Sequence, residues 1–142
     1  MRHFKYVVLL VLLWGCTFSA TYIDRKEDID KARVVSSAFY KLLAAHKSDS
    51  IFSYCSSAIK MNDQERKKMQ FILEQSVLRF GEMKEASLIQ AKSKVQVGKR
   101  AFQEYRFTYK VIRDKYTTLE NFILADEDNN IRVFTYGVEK FQ

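Results

Sequence analysis

Three carboxylates stand near tyrosines in the second half of the chain: Glu104 with Tyr105 and Tyr109, Asp114 with Tyr116, and Glu120 just beyond. A carboxylate and a phenol are enough for proton transfer when burial and neighbours tune their pKa values. These three acids lie on or beside segments whose residues alternate in polarity. Charged residues on such segments ordinarily form the solvated face of a strand. No catalytic residue is therefore assigned, and an acid–base site built from these groups stands as the enzymatic alternative.

Other chemistry has less to work with. Beyond the N-terminal segment the only histidine is His46. Zinc needs three or four converging ligands, so no metal is assigned. A Ser-His-Asp arrangement would depend on His46, and no G-x-S-x-G turn accompanies it. No glycine loop is suited to a phosphate, and no cofactor is expected. Asp126-Glu127-Asp128-Asn129-Asn130 lacks the glycine and distal glutamate of a calcium loop and reads as a hairpin turn. Cys55 shares a helical face with Ile51, Phe52 and Ile59 and reads as a small buried hydrophobe, with no nearby bases to lower its pKa. The row Tyr105, Phe107 and Tyr109 has two readings, the lining of an apolar pocket or plain core beneath helices. Lys99-Arg100-Ala101-Phe102 and Tyr105-Arg106-Phe107 interleave cations with aromatics, as single-strand binders do. Export of the chain, argued below, removes nucleic acid from the expected partners.

The elements that must position these residues follow from periodicity. Asp24 to His46 predicts a helix, with Asp24 and Glu27 spaced as a capping box. Its buried stripe is Ile29, Ala32, Ser36, Phe39 and Leu43. Ser50 to Ile59 predicts a short second helix. Asn62 and Glu65 signal the start of a third, which runs to Phe80 with Met69, Ile72, Leu73, Ser76 and Val77 on its apolar face. Gly81 is placed to end it. Period two then takes over: strands at 87–97, 101–113, 116–125 and 131–139, joined by short turns, predict an antiparallel meander. Tyr105, Phe107, Tyr109 and Val111 share one face of the second of these strands.

The chain has 142 residues, room for one domain with a modest core. It contains no proline, four glycines and no repeat, so nothing marks a second domain. Its net charge of +7 favours anionic partners such as acidic lipid, nucleic acid or acidic protein.

The N-terminus sets the location. Arg2, His3 and Lys5 form a basic head, followed by an apolar run from Tyr6 to Trp14. A spanning helix needs about 20 apolar residues, so this run fits a secretory signal instead. Leu13-Trp14-Gly15-Cys16 then resembles the lipobox of bacterial lipoproteins, with Leu13, Gly15 and Cys16 matching and Trp14 departing from the pattern. The resemblance implies that Cys16 becomes the acylated N-terminus, carrying diacylglycerol and palmitate-type chains. The competing cut, by ordinary signal peptidase after Ser19 or Ala20, would release a secreted or periplasmic domain. The expected division is a signal peptide over 1–15, a lipidated cysteine and tether over 16–25, and one α+β domain over 26–142. Eight extended tether residues, 17–24, would reach roughly 25–30 Å. Loss of Arg2 and Lys5 takes the net charge from +7 to +5.

Three helices followed by a four-stranded meander are similar to the nuclear transport factor 2-like (cystatin-like) domains of small bacterial envelope proteins. The residues that carry this are Phe39-Tyr40-Lys41-Leu42-Leu43, Arg79-Phe80-Gly81, and the hairpin Phe122-Ile123-Leu124 to Ile131-Arg132-Val133. The resemblance implies three N-terminal helices packed on a curved, cone-like, four-stranded antiparallel sheet. It also implies either a non-catalytic binder or an isomerase- or dehydratase-type enzyme. The expectation is an envelope lipoprotein, held at the outer membrane or cell surface, that binds a protein partner or small ligand.

Overall fold

The computed structural model describes residues 19–98 and 101–141. Cys16, the basic head and the apolar run lie outside the described residues. Strand β1 (Ala20–Ile23) is followed by helices α1 (Lys26–Ala44) and α2 (Ser48–Ile51), a 3-10 turn (Phe52–Tyr54), then α3 (Ser57–Met61) and α4 (Asp63–Phe80). Four long strands complete the chain: β2 (Met83–Val97), β3 (Phe102–Arg113), β4 (Thr117–Glu127) and β5 (Asn130–Lys140). All five strands form one antiparallel sheet in chain order, β1-β2-β3-β4-β5.

The α+β layering and the meander agree with the sequence pattern, but the expected cone is absent. Among the described residues there are four helices rather than three, five strands rather than four, and the sheet is not strongly curled. No pairing joins the β1 and β5 edges, so nothing closes the sheet on itself. The fifth strand comes from residues assigned to the tether. Ala20–Ile23 pair with Lys94–Val97 of β2, leaving three residues, 17–19, between Cys16 and the sheet. The expected second helix breaks because Cys55 and Ser56 turn extended. Cys55 bridges Val133, and the Ser56 amide donates to the Val133 carbonyl at 2.9 Å, which lays this segment along β5.

Local chemistry explains the element ends. The Asn62 side chain accepts from the amides of Gln64 and Glu65 at 2.9 and 3.2 Å and starts α4. Gly81 ends it at φ 87°, where a Cβ would stand 2.8 Å from that of Asp114. The expected capping box of α1 is not formed. Asp24 takes φ 51° and its carboxylate accepts from the Ser93 amide at 2.7 Å, tying the end of β1 to β2. Arg25 instead grips Asp28 with two hydrogen bonds of 2.8 and 2.9 Å.

Helices cover one face of the sheet. Phe39 and Tyr40 of α1 meet Tyr109, Phe122 and Tyr136 in an aromatic cluster with ring centroids 4.9–5.4 Å apart for the four closest pairs that bridge helix and sheet. Edge-to-face pairs of this kind add about 0.5–1.5 kcal/mol each to simple burial. The other face carries Lys92, Lys94, Arg106, Lys110 and Asn121 and is open to solvent.

Candidate functional site

Alternation along β3 and β4 assembles a polar centre inside this core. On β4 the inward residues are Thr118, Glu120, Phe122 and Leu124, all buried. On β3 they are Tyr105, Phe107, Tyr109, Val111 and Arg113, all buried as well. The register sets Tyr109 against Glu120 and Val111 against Thr118, so the last inward residue, Arg113, reaches back over Thr118 to the carboxylate.

Glu120 accepts five hydrogen bonds. Its Oε1 receives Arg113 Nε at 3.0 Å, Arg113 Nη2 at 2.6 Å and Thr118 Oγ1 at 2.9 Å. Its Oε2 receives the hydroxyls of Tyr136 at 2.6 Å and Tyr40 at 3.1 Å. Arg113 Nη1 donates to the Gly81 carbonyl at 3.1 Å, which links the centre to the end of α4. Both charged side chains are fully buried. A buried charge is tolerated only when paired and hydrogen-bonded, and this one is fully provided for. Burial, followed by the Glu120 charge, pushes the phenols of Tyr40 and Tyr136 far above their ordinary range, so both remain donors.

That arrangement holds a charge; it does not move a proton. A carboxylate has about four lone-pair positions, and five donors already occupy this one. Glu120 lines none of five clefts of about 60 to 350 Å³ among the described residues. The nearest is the smallest, where the ring of Tyr136 meets Ile59, Met69 and Ile72 while its hydroxyl turns inward.

The other sequence candidates do not converge on it. Glu104 pairs with Arg106 at 2.7 Å on the open face. Asp114, in the β3–β4 turn next to Arg113, turns outward to pair with Lys84 at 2.8 Å, and the Lys84 hydrogen bond holds its carboxyl below the usual range. Tyr116 is exposed beneath the Lys140 ammonium. Tyr105, Phe107 and Tyr109 are core residues: Tyr105 and Tyr109 border none of the clefts, and Phe107 borders only a shallow one on the open face. Tyr109 shares a 2.7 Å hydrogen bond with Ser36 of α1. His46 is exposed at φ 53°, beside Leu43, Leu73 and Glu74 in the 350 Å³ cleft. No three metal-binding side chains gather among the described residues. Burial pushes the Cys55 thiol up to about 11, so it is not a nucleophile at neutral pH.

Several residues with no assigned role turn out to organise the domain. Arg113, Tyr40 and Tyr136 complete the Glu120 centre. Glu127, in the acidic turn, caps α3: it accepts the Ser57 amide at 2.9 and 3.1 Å and the Ser57 hydroxyl at 2.6 Å. That hydroxyl, foremost, lowers its pKa. For Arg113 and Glu120 the signal was present in parity, since both continue an alternating row of inward apolar residues.

The chain matches no protein family, no curated protein and no solved structure. Among the described residues no helix is long and apolar enough to cross a membrane.

Proposed function

We propose that the chain is a cell-envelope lipoprotein, anchored through acylated Cys16, whose α+β domain is a non-catalytic binding module. The observation that carries the non-catalytic half is the state of Glu120. It is the one buried member of the three candidate carboxylates, and its oxygens are filled by five protein donors. Its partner is an envelope protein or small ligand at the outer membrane or cell surface. The lipid half is supported by Leu13-Trp14-Gly15-Cys16 behind a basic head and a short apolar run. The open five-stranded sheet departs from the cone of the nuclear transport factor 2-like proteins, so the proposal rests on the lipobox and the filled carboxylate rather than on kinship.

Intact mass of the membrane-extracted protein, wild type beside Cys16→Ala, tests the anchor. A chain starting at Cys16 with added acyl mass, lost in the variant, is the expected result. A lipid-free chain starting at Ala20 or Thr21 would instead make this a secreted domain.

A further inference from the structure

We infer that the β2–β3 end of the sheet is a bilayer-contacting surface for anionic lipid, with the domain tilted so that the β4–β5 turn points away. The inference rests on the lipid-anchor reading for how the domain reaches the membrane, but the surface itself is drawn from the described residues.

The first observation is where the anchor enters the fold. β1 runs antiparallel to β2 with Ala20 opposite Val97, so the N-terminal side of the domain lies at the β2–β3 end and not at the helical layer. Four residue steps separate Cys16 from Ala20. Fully extended they span about 13–14 Å, a distance comparable to the interfacial layer on one side of a bilayer. An anchor that short leaves this end of the sheet little freedom to stand clear of the headgroups.

The second observation is what that end displays. Ile23 and Phe102, on the open face, are 70 and 44% exposed there, and Val97, in the helix-side row at the strand end, is 48% exposed. Ile23 is opposite Lys94 in the register, and Lys92 is opposite Arg106, all four on the open face three to five residues in from the strand ends at the hairpin. Two cations directly across a strand pair repel one another; the three cations share a cleft with two acids, Asp24 and Glu104, of which Glu104 stands opposite Lys94 and pairs with Arg106. Apolar side chains among cations are the composition of an interfacial binding surface, where rings and aliphatic groups enter the headgroup layer and cations meet lipid phosphate. Each cation near an anionic surface strengthens association by roughly fivefold.

The third observation fixes the tilt. The β4–β5 turn lies at the same end of the sheet, on the strand next to β3, and carries Asp126, Glu127 and Asp128, with Asp126 in the cleft that Phe102 lines. Anionic lipid attracts the β1–β3 corner and repels this turn, so the two hairpins cannot sit at equal depth.

Cleavage before Cys16 removes Trp14, the only tryptophan, so a single engineered tryptophan reports its own position. The full-length chain is expressed as Phe102→Trp and, for the opposite end of the sheet, as Tyr116→Trp. Both sites are about equally exposed, 44 and 46%, so neither change disturbs the core. The membrane-extracted proteins are reconstituted into phosphatidylglycerol–phosphatidylcholine vesicles carrying lipid brominated near the headgroup, with the wild type as background. The same samples are weighed intact. The expected result is acylated protein with quenching at 102 at least twofold greater than at 116. Acylated protein with equal quenching, or more at 116, keeps the anchor and overturns the surface. Protein without acyl mass that still floats with the vesicles and is quenched at 102 keeps the surface and overturns the anchor. No acyl mass and no flotation overturns both.

Discussion

Arg113 Nη2 lies 2.6 Å from Glu120 Oε1, and neither side chain is touched by solvent. The two residues belong to adjacent strands at the turn end of the β3–β4 hairpin, and they hold in one cluster the end of α4, through Gly81, and the middle of α1, through Tyr40. A charge pair at this depth costs desolvation that only good geometry and further hydrogen bonds offset. Its effect is to specify register: a one-residue slip of β4 would carry Glu120 to the open face and strand Arg113 in the core.

Removing one partner is therefore worse than removing both. Arg113→Met leaves a buried carboxylate without its guanidinium and is expected to cost about 3–5 kcal/mol. Adding Glu120→Leu should recover only part of that loss, because it removes the unpaired charge but leaves the buried hydroxyls of Thr118, Tyr40 and Tyr136 without their acceptor. Urea unfolding midpoints of the two variants decide it. A double variant no more stable than the single would mean that the pair holds nothing together.

The Glu127–Ser57 contact predicts a pH dependence. The folded-state pKa of Glu127 lies below its ordinary value, first because of the Ser57 hydroxyl. A depressed carboxylate contributes stability above the unfolded pKa of about 4.3 and loses it as pH falls through the lower folded value. Melting temperatures of wild type and Glu127→Gln should differ at pH 7 and converge as the pH drops below about 4. The comparison with the variant removes Asp28 and Asp114, which titrate in the same acid window. The gap should be small, under about 1 kcal/mol, because the group is partly exposed. Curves that stay parallel down to pH 3 would exclude this contact as the source.

Gly81 and Gly137 make a matched pair. At Gly81 the backbone is left-handed and a Cβ would press on Asp114, whereas a Cβ at Gly137 meets nothing within 4 Å. Gly81→Ala is expected to cost about 1–3 kcal/mol from backbone strain and the clash. Gly137→Ala should stay within about 0.5 kcal/mol of wild type. Thermal unfolding of both, side by side, is the measurement, and equal effects would remove the special role of the α4 terminus.

Where the signal was local, the sequence carried it. The stripe of α1, the Asn62 cap, the Gly81 stop, the alternation of β3 and the Asp126–Asn130 turn all depend on residues within a few positions of one another. The missed features depend on distant partners. β1 has four residues, too few for a pattern, and exists because Lys94–Val97 offers it an edge. β2 begins at Met83 rather than Ser87, and register shifts at Met83/Glu85 and Leu88/Gln90 blur its alternation. The break after α2 answers to Val133, and Glu127 answers to Ser57 across most of the domain. Glu120 departs from the solvated face for another reason. A charge on a strand ordinarily faces water, whereas the parity of β4 sets Glu120 in line with Phe122 and Leu124.

The placement of β1 also bears on the order in which the domain is made. A chain that emerges N-terminus first exposes Ala20–Ile23 long before β2 exists to receive it. Pairing between such distant segments is slow, because the intervening loop must close first. The four residues thus have no sheet to join while the helices form, and they can enter it only once β2 is in place.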